Sequence, residues 1–229
     1  VMAWSWESPD NATVADNIAQ QNYRAVPAEF KATPIVIEGV MYVPSSFGRV
    51  VALDAASGEE KWVFDTEAWS SGRPANLGYN SRGVGYWSSE DKQRIFFATN
   101  DANLWSIDAL TGLTDSSFGD GGKIDLSLGL GREIDTRQYG VVSPPLVTND
   151  IVVVNSIIND GPTTKEMPPG NVRGFDPRTG DIVWMFETIP QAGAFGNETW
   201  ENGSWEYTGN TNSWTIMSAD DELGIVYLP

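Results

Sequence analysis

The chain has 229 residues, 14 of them basic and 31 acidic, for a net charge of −17, and it contains neither cysteine nor histidine. The acidity repels phosphate backbones and anionic lipid and speaks against nucleic-acid partners. The missing Cys and His exclude Cys/His zinc centres, Cys-His and Ser-His-Asp nucleophiles, and covalent haem attachment. In chain order, Val1 to Trp6 reads as a strand end with nothing before it to pair with, and residues 7–32 as polar and irregular. From Thr33 the pattern becomes regular: Pro34–Ile37, Val40–Val43, Arg49–Leu53 and Lys61–Phe64 are short apolar or alternating runs separated by turn residues. Four such strands in little more than thirty positions is the size of one propeller blade.

The turn that closes this unit recurs. Asp54, Gly58 and Trp62 are spaced four and four apart, and Asp176, Gly180 and Trp184 repeat the spacing. Asp108 and Gly112 make a third copy with Ser116 at the Trp position. An Asp that bonds its own turn, a Gly able to take positive φ and a following strand with Trp describe a hairpin. A second unit therefore runs over 82–119, with strands at Gly83–Trp87, Arg94–Ala98 and Asn103–Ile107 and a weaker fourth near Phe118. A third spans 143–188, with strands at Pro145–Thr148, Ile151–Val154, Val172–Phe175 and Ile182–Phe186. A fourth, 214–229, has only Trp214–Met217 and Gly224–Leu228. The predicted fold is all-β, a β-propeller of about three and a half four-stranded blades within residues 1–229. Three blades and a half do not close a ring, so the expectation is a fragment of a longer chain or a piece that needs partner chains.

The long insertions, 66–81, 120–142, 157–171 and 189–213, all fall on one face of such a propeller, where repeat proteins build their binding surfaces. The innermost strands begin on the same face, at Thr33, Arg82, Ser143 and Trp214. A cation, a hydroxyl and a large flat ring are predicted to converge there, which suits an anionic planar ligand.

The runs Val50–Gly58, Arg82–Trp87, Ser143–Val147, Arg173–Gly180 and Asn212-Ser-Trp214, in this order, resemble the pyrroloquinoline-quinone-dependent dehydrogenases, most of all the membrane-bound quinoprotein glucose dehydrogenases. The resemblance implies an eight-bladed propeller, of which this chain supplies somewhat under half, and a cofactor, pyrroloquinoline quinone, with Ca2+ or Mg2+. It implies that Trp214 carries the quinone ring, that Arg82 reaches the quinone oxygens, and that Ser143 and Asn212 bond the cofactor edge. The residue-level alternatives are a core tryptophan, a salt-bridged arginine and two turn caps. Asn159 and Asp160 stand where the resemblance places metal-binding oxygens; an Asn-Asp-Gly turn accounts for them equally well. Trp62 and Trp184 are expected to pack blade against blade with no chemical role.

Three departures limit the resemblance, one being that the glucose-type branch can carry a histidine in the first blade's loop where Phe47 stands here, which weighs against a preference for glucose. The alcohol-oxidising branch has adjacent cysteines over the quinone where Asn76 and Leu77 stand here, and the family's catalytic aspartate is expected beyond Pro229, so no catalytic residue is assigned within the chain. The function implied is oxidation of a sugar (a glucose-like aldose) or an alcohol, with electrons passed to a membrane quinone. The implied location is the periplasm, in a parent protein anchored to the inner membrane. Two other readings stay open: a non-catalytic propeller of the same repeats, acting as an envelope scaffold, and a lectin-like sugar-binding protein.

Overall fold

The computed structural model describes residues 2–15, 27, 29–72, 74–76, 78–162 and 164–229. Val1, residues 16–26 and 28 of the stretch expected to be irregular, and Leu77 lie outside these. The first blade is the antiparallel sheet β1 (Ile35–Ile37), β2 (Val40–Pro44), β3 (Arg49–Asp54) and β4 (Glu60–Asp65). The second is β5 (Gly85–Ser88), β6 (Gln93–Ala98), β7 (Asn103–Asp108) and β8 (Lys123–Asp125). A two-stranded ribbon pairs β9 (Tyr139–Gly140) with β12 (Ile157–Ile158). The third blade is β10 (Leu146–Thr148), β11 (Ile151–Val154), β13 (Val172–Phe175) and β14 (Ile182–Phe186). Last comes a two-stranded sheet, β15 (Ser218–Asp220) with β16 (Ile225–Tyr227).

Strand alternation explains how the blades stack. Each middle strand points successive side chains to opposite faces, and both faces are buried. Val50 and Ala52 pack with Ile95 and Phe97 between the first two blades. Phe96 and Ala98, on the other side of the same strand, pack with Val152, Val154 and Phe175 of the third. Val153 and Val172 then turn toward Met217 and Val226.

The repeated turns share one chemistry. Asp54 Oδ1 accepts from the backbone N–H of Ala56 (3.1 Å) and Ser57 (3.0 Å), and Asp108 Oδ1 accepts from those of Leu110 (3.1 Å) and Thr111 (2.8 Å). Asp176 Oδ1 does the same for Arg178 at 2.6 Å. A β-bulge follows in both Trp-bearing copies, between Ala52/Leu53 and between Gly174/Phe175, and re-aims the tryptophan. Trp62 thereby lies over Gly112 of the next blade, and its indole N–H donates to the Ala109 carbonyl at 3.1 Å. The role expected of Trp62 is the one observed. Trp4 repeats it upstream, lying over Gly58 and donating to the Ala55 carbonyl at 3.2 Å.

Three expectations need correction. The outer strand of the second blade is not near Phe118 but at Lys123–Asp125, beyond the predicted boundary at 119 and inside the supposed 120–142 insertion. A hydrogen-bonded turn, Gly122 N–H to Phe118 carbonyl at 3.0 Å, delays it, and the Phe118 ring drops into the core against Phe96. Ile124 then covers Gly180, where Trp covers the turns of the other two blades. Second, Trp214–Met217 is not a strand, and pairing starts at Ser218. The carbonyls of Trp214 and Thr215 are taken by side chains of Arg82, Ser143 and Asn155, leaving no ladder to form there. Third, residues 10–15 of the supposedly irregular stretch form a helix, α1 (Asp10–Ala15). Its Asp10 is buried and accepts from Ser45 Oγ (2.8 Å), the Phe47 N–H (2.9 Å) and Arg49 Nη1 (2.6 Å).

Candidate functional site

The starts of the inner strands meet. The Thr33 N–H donates to the Arg82 carbonyl and the Arg82 N–H to the Val142 carbonyl, both at 2.9 Å, so three successive blades are laced together at this level. The approach needs small residues: a Cβ on Gly85 would sit 2.6 Å from the Pro145 carbonyl oxygen. On this frame Arg82 Nη1 donates to the Trp214 carbonyl at 2.9 Å, and Ser143 Oγ donates to the same oxygen at 2.7 Å. The guanidinium carbon lies 4.6 Å from the centroid of the Trp214 ring, a cation–π contact. Burial pulls the Arg82 pKa below its ordinary value, yet a guanidinium stays charged at neutral pH.

This geometry bears on the alternatives. Trp214 is 44% exposed in this chain. No carboxylate among the described residues forms a salt bridge with Arg82; its partners are a carbonyl and a ring. Asn212 sits on the same segment as Trp214, where its Nδ2 donates to the Ser156 carbonyl at 2.8 Å. Asn155, which sequence reasoning passed over, donates to the Thr215 carbonyl at 2.8 Å. Its signal was a polar Asn-Ser pair directly after the apolar run of β11.

The polar atoms around this cluster suit a flat ligand rich in acceptors. Ser81 Oγ, Ser156 Oγ and Ser213 Oγ are buried and find no hydrogen-bond partner among the described residues. Each belongs to a segment of the cluster: Ser81 adjoins Arg82, Ser213 adjoins Trp214, and the Ser156 carbonyl holds Asn212. Unsatisfied buried hydroxyls are costly, and quinone carbonyls or carboxylates would relieve them.

Asn159 Oδ1 accepts from the Gly161 N–H at 2.8 Å, the geometry of an ordinary turn. Asp160 is exposed and accepts from Asn76. Among the described residues no group of three or more Asp, Glu, His or Cys side chains gathers as a metal site. The side chains of Asn159 and Asp160 offer three oxygens against the six to eight that calcium takes.

Three four-stranded antiparallel sheets stacked one on the next, followed by a two-stranded one, are the architecture of propeller blades. The chain belongs to the family described as "Glucose/ethanol/alcohol dehydrogenase, beta-propeller domain", the PQQ domain, which it matches over residues 1–229. It is 30% identical over 214 residues to a quinoprotein glucose dehydrogenase of Gluconobacter oxydans, covering 87% of this chain and 26% of that protein. It is 31% identical over 207 residues to the glycerol dehydrogenase large subunit of the same organism, covering 87% and 27%. The chain thus spans about a quarter of the length of these relatives. The crystal structure of quinohemoprotein alcohol dehydrogenase from Comamonas testosteroni superimposes with a TM-score of 0.66 at 20% identity, covering 92% of this chain and 33% of that one. That match shows the β-propeller fold. Among the described residues no helix is long and apolar enough to cross a membrane.

Proposed function

We propose that this chain forms part of a quinoprotein dehydrogenase that oxidises a sugar, in the first place a glucose-like aldose, or an alcohol, facing the periplasm and passing electrons to a membrane quinone. When bound, pyrroloquinoline quinone accepts the two electrons and protons that the substrate gives up. The chain's own residues hold and polarise it. Trp214 offers an indole face on which a flat ring stacks. Arg82, partly buried, places positive charge where negative charge develops on the quinone oxygens. Ser143 fixes the Trp214 backbone and keeps its lone pairs for the cofactor edge; Asn212 does the same through Ser156. Asn159 and Asp160 would contribute at most three side-chain oxygens to a Ca2+ or Mg2+ ion, and no step is assigned to that ion.

One observation carries this reading. Arg82 and Ser143, from different blades, both donate to the Trp214 carbonyl while the guanidinium lies over its indole. The test is to reconstitute the full-length protein with pyrroloquinoline quinone and Ca2+ or Mg2+, then follow cofactor absorbance and dye reduction with aldoses and alcohols. Trp214→Ala and Arg82→Lys should each weaken cofactor uptake by about tenfold or more, since Lys keeps the charge and loses the planar stack. No uptake and no reduction with any substrate would remove the proposal.

A further inference from the structure

Arg132, in the connection between β8 and β9, gathers three separate connections of the chain. Its Nη1 donates to the Glu206 carbonyl at 3.3 Å, and its Nη2 to the carbonyls of Thr208, at 3.0 Å, and of Met167. Met167 belongs to the β12–β13 connection, Glu206 and Thr208 to the β14–β15 connection. No carboxylate among the described residues forms an ion pair with Arg132, so its hydrogen bonds go to backbone. A planar fork can serve several carbonyls at once in a fixed geometry, which an ammonium on a flexible stem does not.

Beyond Thr208 the chain has little freedom. The Gly209 N–H donates to the Lys165 carbonyl and the Asn210 N–H to the Pro168 carbonyl, both at 3.0 Å. The two connections touch closely: a Cβ on Gly209 would sit 1.8 Å from the Met167 carbonyl oxygen, and one on Gly170 2.6 Å from that of Asn210. The chain then reverses through Asn210 (φ +63°) and Thr211 (φ +55°). Positive φ is uncommon outside glycine and an outlier for a β-branched residue. Thr211 is the one β-branched residue to take it among the described residues. Such strain persists only where the surroundings over-determine it, and here the surroundings are the Met167–Pro168 segment that Arg132 ties to Thr208. The reversal brings Asn212 Nδ2 to the Ser156 carbonyl (2.8 Å) and the Trp214 carbonyl to Arg82 and Ser143.

We propose that Arg132 is a positioning residue: by joining the Met167 and Thr208 carbonyls it holds the Asn210–Thr211 reversal and so presets where the Trp214 indole stands. Its bearing on the cofactor rests on the quinone reading above, whereas its hold on the segment does not. A platform fixed before binding spares the ligand the cost of ordering it. Loosening it should therefore weaken a ligand stacked on Trp214 without removing any contact. The test uses the full-length protein, with hydrogen exchange of amides 206–216 and titration with pyrroloquinoline quinone. Arg132→Met should speed that exchange about tenfold and weaken quinone binding about tenfold. Arg132→Lys, which keeps the charge and loses the fork, should move both by about threefold, and carries the comparison should Arg132→Met fail to fold. The control is Arg178→Met, which removes an arginine paired with Asp150 at 3.0 Å and lying over Trp87; it should change neither readout. Unchanged exchange over 206–216 in a folded variant, exchange raised evenly along the chain, or full quinone affinity despite a loosened segment overturns the proposal. A wild-type protein that takes up no quinone sinks the quinone reading, and the exchange of 206–216 then decides the role of Arg132 by itself.

Discussion

Gly112→Ala isolates what the docking of one blade on the next contributes. Gly112 has φ +73°, and a Cβ there would sit 2.7 Å from Trp62 Cδ2. The indole cannot retreat freely, because its N–H holds the Ala109 carbonyl at 3.1 Å and Tyr42 packs at 5.8 Å between ring centroids. The left-handed backbone alone costs an alanine about 1–2 kcal/mol. Overpacking against a pinned ring adds about 1–3 kcal/mol. Gly39 provides the control, since it has φ +81° and a methyl there would meet nothing within 4 Å. Gly39→Ala should therefore cost the backbone share only, and Gly112→Ala roughly 1–3 kcal/mol more. Urea midpoints followed by tryptophan fluorescence, compared at equal m-value, read the difference. In a Trp62→Ala background the Gly112→Ala penalty should fall to that of Gly39→Ala, a coupling that a double-mutant cycle measures directly. Equal penalties at the two glycines, or no coupling to Trp62, would refute the account of blade docking.

Asp10→Ala removes one carboxylate from the buried Arg49 and leaves it Asp65 at 2.7 Å; the expected loss is about 3 kcal/mol, seen as a lower Tm and earlier protease cleavage near α1. Burial opposes ionisation of Asp115, but hydrogen bonds from Ser117 and Lys92 and the charge of the buried Arg94 outweigh it, holding the carboxyl well below the usual aspartate range. Its stabilisation is complete above the unfolded value of about 4 and is lost as pH falls through the folded value, so Asp115→Asn should flatten the acid limb of a Tm-versus-pH curve. Tyr42 is pushed up to about 12, first by burial and then by the negative charge of neighbours including Asp108 and Glu38. Its contribution is intact below the unfolded value of about 10 and fades as pH rises through the folded one. Alkaline titration of phenolate absorbance should show one fewer tyrosine still un-ionised in the high-pH step after Tyr42→Phe.

What the sequence determined by itself is the local chemistry that repeats. An Asp that caps its own turn, a Gly four residues on and a strand of alternating apolar residues act within a dozen positions, so the blades and their sidedness are legible without any neighbour. The hairpin spacing also points to Arg82, Ser143 and Trp214, whose side chains and carbonyls meet in the structure, although Trp214 lies outside any strand. Only the tertiary structure decided matters settled between blades. Ile124 replaces a tryptophan over Gly180 because the Phe118–Gly122 turn shifts its strand. The segment around Trp214 stays out of the ladder because side chains of two other blades claim its carbonyls. Asp10 is legible as a polar residue and nothing more until Arg49, 39 residues away, supplies its counter-charge. A side chain whose partner lies on a distant strand carries no signature in its own neighbourhood, since the free energy that fixes it appears only when the chain has folded.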